Sequence, residues 1–369
     1  MAGLASALAL SGQSVTYVAE QELSAERLAQ GWQVLEMPDV RLRFVAQNAT
    51  VNGLLREAPA SAVHLCQGIR ANGRVATAQR VIARGHLRHW VVMETVDDAG
   101  AAGMMKRWEY ARLFRSKGRG LEGVLATGYN TMAWIIERGV SPHAVYPFAY
   151  FLPGTSSPLI QPERQPGPFR FLFVGQFIPR KRLDLLIQTL QAFMDRDFCL
   201  LVVGTGRQEA RLRALAERAL PNRVIWLGVQ PQAEVRLIMS QADCLVLPSR
   251  HDGWGAVVSE AMMAGTPVIC SDGCGAAGVV EASGVGGVFP SDSANELETM
   301  LDAQLRSGPL GRGGRMALAS WATALGAEAG SRYLVSILDY VAEGGLRPVP
   351  PWHGRALMRA GRVVKGKQG

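Results

Sequence analysis

Cysteine is scarce in this chain: five occur among 369 residues, and no two have the C-x-x-C spacing typical of zinc or dithiol sites. Their number is odd, and most of them lie within apolar runs. We therefore expect buried free thiols, kept reduced in the cytoplasm, and neither a disulfide framework nor a metal site. The five are Cys66, Cys199, Cys244, Cys270 and Cys274.

Long apolar runs are missing as well. No stretch of about 18 or more apolar residues occurs, and 19% of the residues are charged, which argues against a membrane span, a coiled coil and disorder. The opening MAGLASALALSG resembles the apolar part of a signal peptide, but no positive residue precedes it, so we predict a helix there. A length of 369 residues with 48% hydrophobic residues favours a soluble protein of two domains.

Acidic residues are outnumbered, 31 against 39 lysines and arginines, so the net charge is +8 and an anionic partner is expected. Nucleic acid is disfavoured, because the sequence has no recognition motif and no basic run interleaved with aromatics. In the basic tail, residues 346–369, Trp352 stands near several arginines and lysines at loose helical spacing. This pattern favours peripheral binding to an anionic membrane, and a solvated end is the alternative.

Short apolar runs alternate with amphipathic, helix-length segments along the chain, which is the pattern of βα units that build parallel sheets. Residues 153–168 contain five prolines and no periodicity, and this predicts a linker. We therefore predict an α/β protein with two doubly wound, Rossmann-like domains, residues 1–152 and 169–320. We also predict a helix in residues 321–345, before the tail, which could pack back on the first domain.

The predicted elements follow from these patterns. Strands are predicted at Ser14–Ala19, Gln33–Met37, Ala62–Cys66, Trp90–Glu94, Val124–Thr127 and Val145–Ala149, and then at Phe169–Val174, Leu200–Val203, Val224–Leu227, Leu245–Leu247, Pro267–Cys270 and Gly287–Phe289. Helices are predicted at Ala78–Ala83, Met104–Ser116, Tyr129–Arg138, Leu183–Met194 and Trp321–Val341.

A first cluster of candidate binding residues follows the strand at Phe169–Val174. Gly175 occupies the turn, and Arg180, Lys181 and Arg182 stand where the chain enters the next helix, at the carboxyl edge of the sheet, where ligands bind. Arginine can fork two oxygens and lysine supplies a point charge, so the cluster suits a diphosphate. The alternative is a solvated helix start, although the helix dipole disfavours cations there.

The strongest signal is the segment PSRHDGWGAVVSEAMMAGTPVICSD, in which Asp252 lies in a glycine-rich turn and Glu260 lies eight positions later inside an apolar helix. Gly253 and Gly255 permit close approach of the backbone to a ligand. The free amides at the helix start can hold an anion, and they belong to Ala256, Val257 and Val258. The alternative makes Asp252 a helix cap and Glu260 a surface residue.

At these residues the chain resembles a known family. The motifs VGxFxxxKR and DGWGxVVxEAMxxGxPVIxSD, together with VIWLG and ADCLVLPS in the same order, resemble the retaining glycosyltransferases of the family-4 type. The resemblance covers about Phe169 to Pro290 well and the amino-terminal half weakly. It implies the GT-B fold, in which two Rossmann-like domains face a cleft.

The resemblance also implies an activity: a hexosyltransferase that moves a sugar, with retention and without a metal or other cofactor, from a nucleoside-diphosphate sugar to a glycan or lipid-linked acceptor. Bacterial polysaccharide or lipopolysaccharide synthesis is the expected setting. By position, Glu260 would bind the ribose and Asp252 the sugar hydroxyls, while Lys181 and Arg180 would stabilise the departing diphosphate. Gly204 and Gly228, at two further strand ends, would border the base.

Departures from the family pattern are informative. Gln176 stands where many relatives have a basic residue, and Asp252 is shorter than the commoner glutamate. In the first domain, a histidine is common after the fourth strand, whereas this sequence offers Glu94, Asp97 and Asp98. Glu94 is either a contact to sugar or acceptor or an ordinary strand-end acid. His251 beside Asp252 is not expected to form a dyad, since adjacent residues at a strand end point apart.

The start of the chain shows the largest departure from the family pattern. A doubly wound domain begins with a central strand, yet this sequence opens on the helix that normally follows it, so the first strand is expected to be missing. We expect Met1 to be an internal methionine of a chain longer by roughly 15–25 residues, the length of a strand and a turn. Two alternatives remain: another GT-B enzyme, such as a sugar-nucleotide epimerase or phosphorylase, and an inactive nucleotide-binding relative.

Overall fold

A computed structural model of the protein describes residues 1–22, 37, 39–45, 47–154 and 166–354. The strand predicted at Gln33–Met37, apart from Met37, most of the linker and the end of the tail lie outside these ranges. Among the residues described, no helix has the length and apolar character needed to cross a bilayer.

The amino-terminal domain contains two parallel sheets. One pairs β1 (Thr16–Ala19) with β2 (Arg41–Phe44), and the other has the order β3-β4-β5-β6. The strands of the second sheet are β3 (Val63–Gln67), β4 (Arg88–Glu94), β5 (Gly123–Thr127) and β6 (Val145–Phe148). The helices are α1 (Ala2–Leu10), α2 (Asn48–Glu57), α3 (Arg74–Arg84), α4 (Gly100–Lys117) and α5 (Thr131–Ile136).

The described strands of the amino-terminal domain fall into two separate sheets. In the described ranges, β1 pairs only with β2 and β3 only with β4, so each has one open edge, and Val18 on β1 is 49% exposed. The opening helix is present as α1, in agreement with the sequence. Strand β2 was not predicted, because its four residues, RLRF, alternate basic and apolar side chains and are all exposed.

The carboxyl-terminal domain contains a parallel sheet of six strands in the order β12-β11-β10-β7-β8-β9. Its strands are β7 (Phe169–Val174), β8 (Phe198–Val203), β9 (Val224–Gly228), β10 (Cys244–Leu247), β11 (Val268–Ser271) and β12 (Gly286–Phe289). Its helices are α6 (Leu183–Leu190), α7 (Glu209–Ala219), α8 (Gln232–Gln241), α9 (Ala256–Met263), α10 (Ala277–Ser283), α11 (Ala294–Ser307) and α12 (Arg312–Ala322).

This order is that of a doubly wound sheet, as the sequence predicts. Strand β7 lies between β8 and β10, so the connections reverse direction beside it, and ligands bind in the crevice at such a point. Helices cover both faces, which is why the strands are nearly continuous apolar runs; five of the six residues of β7 are buried. The predicted helix Leu183–Met194 ends earlier than expected, since residues 191–193 form a 3₁₀ turn.

The chain crosses between the domains a second time near its end. The helix predicted at Trp321–Val341 is interrupted by a 3₁₀ turn at residues 323–325, so α12 ends at Ala322 and a further helix, α13 (Ala327–Glu343), begins beyond it. Helix α13 packs against α1, and the hydroxyl of Tyr333 donates to the carbonyl of Pro147 on β6. The chain first passes between the domains after Leu152 and returns near Gly326. These two passages are in contact, because Leu152 forms a parallel bridge with Gly326.

The start of the tail is part of the amino-terminal domain. Trp352 is only 6% exposed and packs on Phe151 and Tyr333, with ring centroids 6.1 and 6.4 Å away. Arg347 lies over the ring of Tyr146 and donates to the carbonyl of His143 at 3.0 Å. These two side chains therefore pack against the amino-terminal domain, while residues 355–369 lie outside the described part of the chain.

Candidate active site

Three glycines end neighbouring strands of the carboxyl-terminal sheet. Gly175 follows β7, Gly204 follows β8 and Gly228 ends β9, and hydrogen bonds link them, from Gly175 N to Val203 O at 3.0 Å and from Gly204 N to Gly228 O at 2.8 Å. A Cβ on Gly204, whose φ is +129°, would lie 2.0 Å from the carbonyl oxygen of Gly175. Glycine is therefore required there, because the backbones that follow β7 and β8 approach each other closely.

Lys181 and Asp252, separated by 71 positions, meet in an ion pair between Nζ and Oδ2. Both side chains are largely shielded from water, at 12% and 14% exposure. Lys181 ends the 3₁₀ turn after β7 and Asp252 lies in the turn after β10, so the pair spans the reversal point of the sheet. A lysine ammonium fixed here by a carboxylate can form charge-assisted hydrogen bonds with a phosphate group.

The three cations of the first cluster differ in their contacts. Arg180 donates from Nη1 to the carbonyl of His251 at 2.9 Å, which places it beside the Lys181–Asp252 pair. Arg182 instead pairs with Asp184 and Asp292, and its backbone is left-handed, with φ of +52°. Arg180 and Lys181 are therefore the two candidates for a diphosphate, whereas Arg182 has a structural role.

The turn that carries Asp252 is fixed by the loop after β11. Asp252 N donates to Gly273 O and Gly275 N donates to Asp252 O, both at 2.9 Å. At Gly255, φ is +82° and a Cβ would lie 2.7 Å from Cys274 Sγ, so no larger residue fits without movement. The buried Cys274 thus packs against the glycine turn, which rationalises one of the free thiols.

Helix α9 begins directly after this turn, at Ala256. The first amides of a helix have no intrahelical acceptor, so the amides of Ala256 and Val257 point out of the helix start. The amide of Val258 does not, because it donates to Gly255 O at 2.9 Å. The expectation that all three amides are free is therefore wrong for Val258.

Glu260 is half-buried on the second turn of α9, and burial raises the pKa of its carboxyl group. Gln232, at the start of α8, donates from Nε2 to Glu260 Oε1 at 3.3 Å and opposes that shift. The sequence did not point to Gln232, since 28 positions separate the two residues. The contact leaves the other carboxylate oxygen, Oε2, free of this donor.

Glu94 faces this turn from the other domain. It ends β4, and a Cβ added to Gly253 would lie 2.1 Å from its Oε2. Burial raises the pKa of Glu94, and the nearby carboxylate of Asp252 raises it further. Glu94 therefore lies where the two domains meet, close to the Lys181–Asp252 pair, and it is more than an isolated strand-end acid.

Several backbone contacts close the domain interface beside Glu94. Tyr129 N donates to Gly275 O at 2.8 Å, and a Cβ on Gly278 would lie 2.8 Å from the Tyr129 ring. A cavity of about 230 Å³ remains between the domains. Its walls are acidic and aromatic on the amino-terminal side, with Asp97, Asp98, Tyr129 and Trp134, and carry charges of both signs on the other, with Arg250, His251 and Asp272.

His251 lines this cavity, and its backbone carbonyl accepts from Arg180 Nη1 at 2.9 Å. Burial lowers the pKa of its imidazole, and Asp97 and Asp252 oppose that effect. Among the described residues, no group of three or more acidic, histidine or cysteine side chains is arranged to hold a metal ion.

The sequence of the carboxyl-terminal part matches a known family. Residues 160–312 match the family described as "Glycosyl transferases group 1". A 2-deoxystreptamine glucosyltransferase of Streptomyces kanamyceticus is 39% identical over 99 residues, which are 26% of this chain and 26% of that protein. A GDP-mannose:cellobiosyl-diphosphopolyprenol alpha-mannosyltransferase of Xanthomonas campestris is 38% identical over 118 residues, 30% of each. The matches thus span less than a third of these relatives.

Solved structures are similar over nearly the whole chain. The HepE protein of Anabaena, crystallised in complex with UDP, has a TM-score of 0.68 at 14% identity, over 92% of this chain and 96% of that one. The lipopolysaccharide outer core galactosyltransferase WaaB has a TM-score of 0.65 at 14% identity, over 88% and 99%. The fold of the protein is therefore GT-B. Its carboxyl-terminal domain is, in sequence, similar to the group 1 glycosyl transferases.

Proposed function

We propose that the protein is a retaining glycosyltransferase, which moves a sugar from a nucleoside-diphosphate donor to a glycan or lipid-linked acceptor in the synthesis of a cell-surface polysaccharide or lipopolysaccharide. The observation that carries this proposal is the Lys181–Asp252 pair, set between the glycine-lined strand ends and Glu260. The similarity in sequence to a transferase named for GDP-mannose, and in fold to a protein crystallised with UDP, supports it.

The donor would lie along the carboxyl edge of the second sheet. Its base would border Gly204 and Gly228, where no side chain blocks the approach, and its ribose hydroxyls would donate to Glu260. The diphosphate would then lie near Lys181 and Arg180, with Gly175 leaving room for the phosphate oxygens. The sugar would reach Asp252 and the amides of Ala256 and Val257, which can hydrogen-bond its hydroxyls.

In this arrangement the protein acts mainly on the leaving group. Negative charge grows on the diphosphate as the bond to the sugar breaks, and cations already fixed in a shielded cleft lower the barrier. Lys181 is held in place by Asp252 before any substrate binds, so little reorganisation is needed. We propose that Lys181 and Arg180 supply the charge that a metal ion supplies in other transferases, and that the leaving phosphate takes the proton of the acceptor.

Ligand-dependent unfolding tests the donor site. The protein is melted with UDP, GDP, ADP or dTDP, because a ligand at 100 times its dissociation constant stabilises a protein by about 2.7 kcal/mol. We expect one nucleotide to raise Tm, and Glu260→Ala to abolish the increase. Glu217→Ala, which alters an exposed glutamate on α7, is the matched control and should behave as the wild type. If no nucleotide shifts a cooperative melt, the proposal fails.

The reaction itself is tested by the configuration of the product. The protein is incubated with the sugar donor of the nucleotide identified and with a panel of glycan and lipid-linked acceptors. NMR coupling of the anomeric proton should show the configuration of the donor. An inverted product would contradict the retaining mechanism, and isomerised donor without transfer would favour an epimerase.

A further inference from the structure

Helix α4 exposes three large apolar side chains that serve no packing purpose. Met104, Met105 and Trp108 are 65%, 75% and 64% exposed, and they lie on adjacent turns of one helix face. The helix has a separate core face, on which Phe114 is 4% exposed and Tyr110 meets Trp134 at a ring distance of 5.1 Å. A cluster of exposed apolar side chains on such a helix indicates an interaction surface.

The same helix carries a concentration of positive charge. Between Gly100 and Gly120 the sequence has six basic residues and one acidic residue, Glu109, which pairs with Arg70 at 3.2 Å. The basic residues are Lys106, Arg107, Arg112, Arg115, Lys117 and Arg119. Within the part of the chain that the structure describes, Arg112 and Arg115 are exposed and form no ion pair with a carboxylate. Lys117 lies toward the core face of the helix, where its Nζ donates to the carbonyl of Ile69 at 3.3 Å.

We define the α4 surface as Met104, Met105, Trp108, Arg112 and Arg115, which lie on one face of the helix. Its apolar part lies on the first half of the helix and its basic part on the second. Arg112 connects the two, because its guanidinium lies 5.8 Å from the centre of the Trp108 ring. Apolar side chains beside unpaired cations match a phospholipid surface, which offers acyl chains beneath a layer of phosphates.

The α4 surface is held rigidly beside the domain interface. A Cβ on Gly103 would lie 1.6 Å from Asp98 O, so the helix rests directly on the loop after β4. Arg107 pairs with Asp98 at 3.2 Å, and the indole of Trp134 donates to the same carboxylate at 2.9 Å. Because Asp97 and Asp98 line the cavity between the domains, the surface lies at the mouth of that cavity.

We propose that the α4 surface docks on an anionic phospholipid membrane, with Met104, Met105 and Trp108 inserted among the lipids and Arg112 and Arg115 on their phosphates. Docking in this way sets the mouth of the interdomain cavity at the bilayer, where a lipid-linked acceptor is found. The proposal differs from membrane binding through the basic tail. It draws on the proposed function only for the identity of that acceptor.

Vesicle co-sedimentation of the full chain tests the proposal without donor or acceptor, so its outcome is independent of the transfer reaction. Vesicles of phosphatidylcholine with phosphatidylglycerol are compared with vesicles of phosphatidylcholine alone. We expect binding to the anionic vesicles only. The combined change Met104→Ser, Met105→Ser and Trp108→Ser should weaken it at least about tenfold, and so should the combined change Arg112→Glu and Arg115→Glu.

Two control variants make the same kinds of substitution on other helices. Met316→Ser alters a methionine of α12 that is 63% exposed, and Arg211→Glu with Arg218→Glu reverses two exposed arginines on α7. Both controls should bind vesicles as the wild type does, and all variants should melt at the wild-type temperature. Wild-type protein that fails to bind anionic vesicles, or binding unaffected by the apolar triple change, overturns the proposal. A dimer that the triple change dissociates would assign the surface to self-association instead.

Discussion

Glu94 of the amino-terminal domain and Gly253 of the carboxyl-terminal domain are in direct contact, so close that a Cβ on Gly253 would lie 2.1 Å from Glu94 Oε2. This contact joins the end of β4 to the turn that carries Asp252. A change at either residue therefore acts on the domain interface and on the candidate active site together.

The first prediction concerns Gly253→Ala. The added methyl group forces Glu94 away and separates the domains at the turn, so we expect kcat to fall at least about tenfold, because misplacement by an ångström can cost more than that. Donor binding, which depends on the carboxyl-terminal domain, should change little. Steady-state kinetics and nucleotide titration measure the two effects.

The second prediction is the rescue of that variant. Because the clash involves the Glu94 carboxyl group, the double change Gly253→Ala with Glu94→Ala should recover part of the loss, giving a positive coupling in a double-mutant cycle. Gly311→Ala, at a glycine with open space around its Cβ position, is the control and should have wild-type kinetics. Additive losses would mean that the contact does not limit the reaction.

The third prediction concerns Lys181. Removing its charge in Lys181→Met leaves Asp252 without its ion-pair partner and the leaving group without a fixed cation. We expect kcat to fall by about 10²–10³, as for removal of other groups that stabilise a developing charge. Arg211→Met on α7 removes an exposed cation at a distance and should have no effect. A Lys181→Met enzyme of normal kcat would exclude the proposed role.

The fourth prediction follows from the raised pKa of Glu260. The folded protein holds this proton more tightly than the unfolded chain does, so its contribution to stability is full below the unfolded pKa and is lost as the pH rises through the folded value. Between these two pKa values, Glu260→Gln should therefore flatten the decline of the unfolding free energy with rising pH. Urea titrations at a series of acidic pH values measure this dependence of the unfolding free energy on pH. Identical slopes in both proteins would contradict the assignment.

The fifth prediction concerns Trp352, which is buried against Phe151 and Tyr333. Truncation of a buried tryptophan typically costs about 3–5 kcal/mol, so Trp352→Ala should lower the stability of the amino-terminal domain by an amount of that order. Trp108→Ala, at an exposed tryptophan, should change it by less than about 0.5 kcal/mol. Comparable effects of the two changes in urea unfolding would show that Trp352 is not a packing residue.

Much of the fold is predictable from the sequence because parallel strands covered on both faces appear as short apolar runs. All six strands of the carboxyl-terminal sheet were predicted within about two residues. Strand β2 was not, since an exposed strand of four residues with alternating charge has no such run. The break at residues 323–325 was missed because apolar periodicity continues across it.

The candidate site was predictable to a smaller extent. Residue patterns alone suggested that Lys181, Asp252 and Glu260 lie at one sheet edge, and their roles came from the family resemblance. Neither the residue patterns nor the family resemblance could show that Gln232 contacts Glu260 or that Glu94 contacts Gly253. Those contacts depend on how separate helices and the two domains pack, which no local spacing records.

The bridge between Leu152 and Gly326 has a mechanical consequence. The chain passes between the domains at these two places, and hydrogen bonds from Leu152 N to Leu325 O and from Ala327 N to Leu152 O fasten the two passages together. A rotation of one domain about a line through these two passages can keep both hydrogen bonds. Sliding one domain across the other would break them. We therefore expect Leu152 and Gly326 to mark a hinge axis, about which the cleft of the proposed transferase would open to release a nucleotide and close on the next donor.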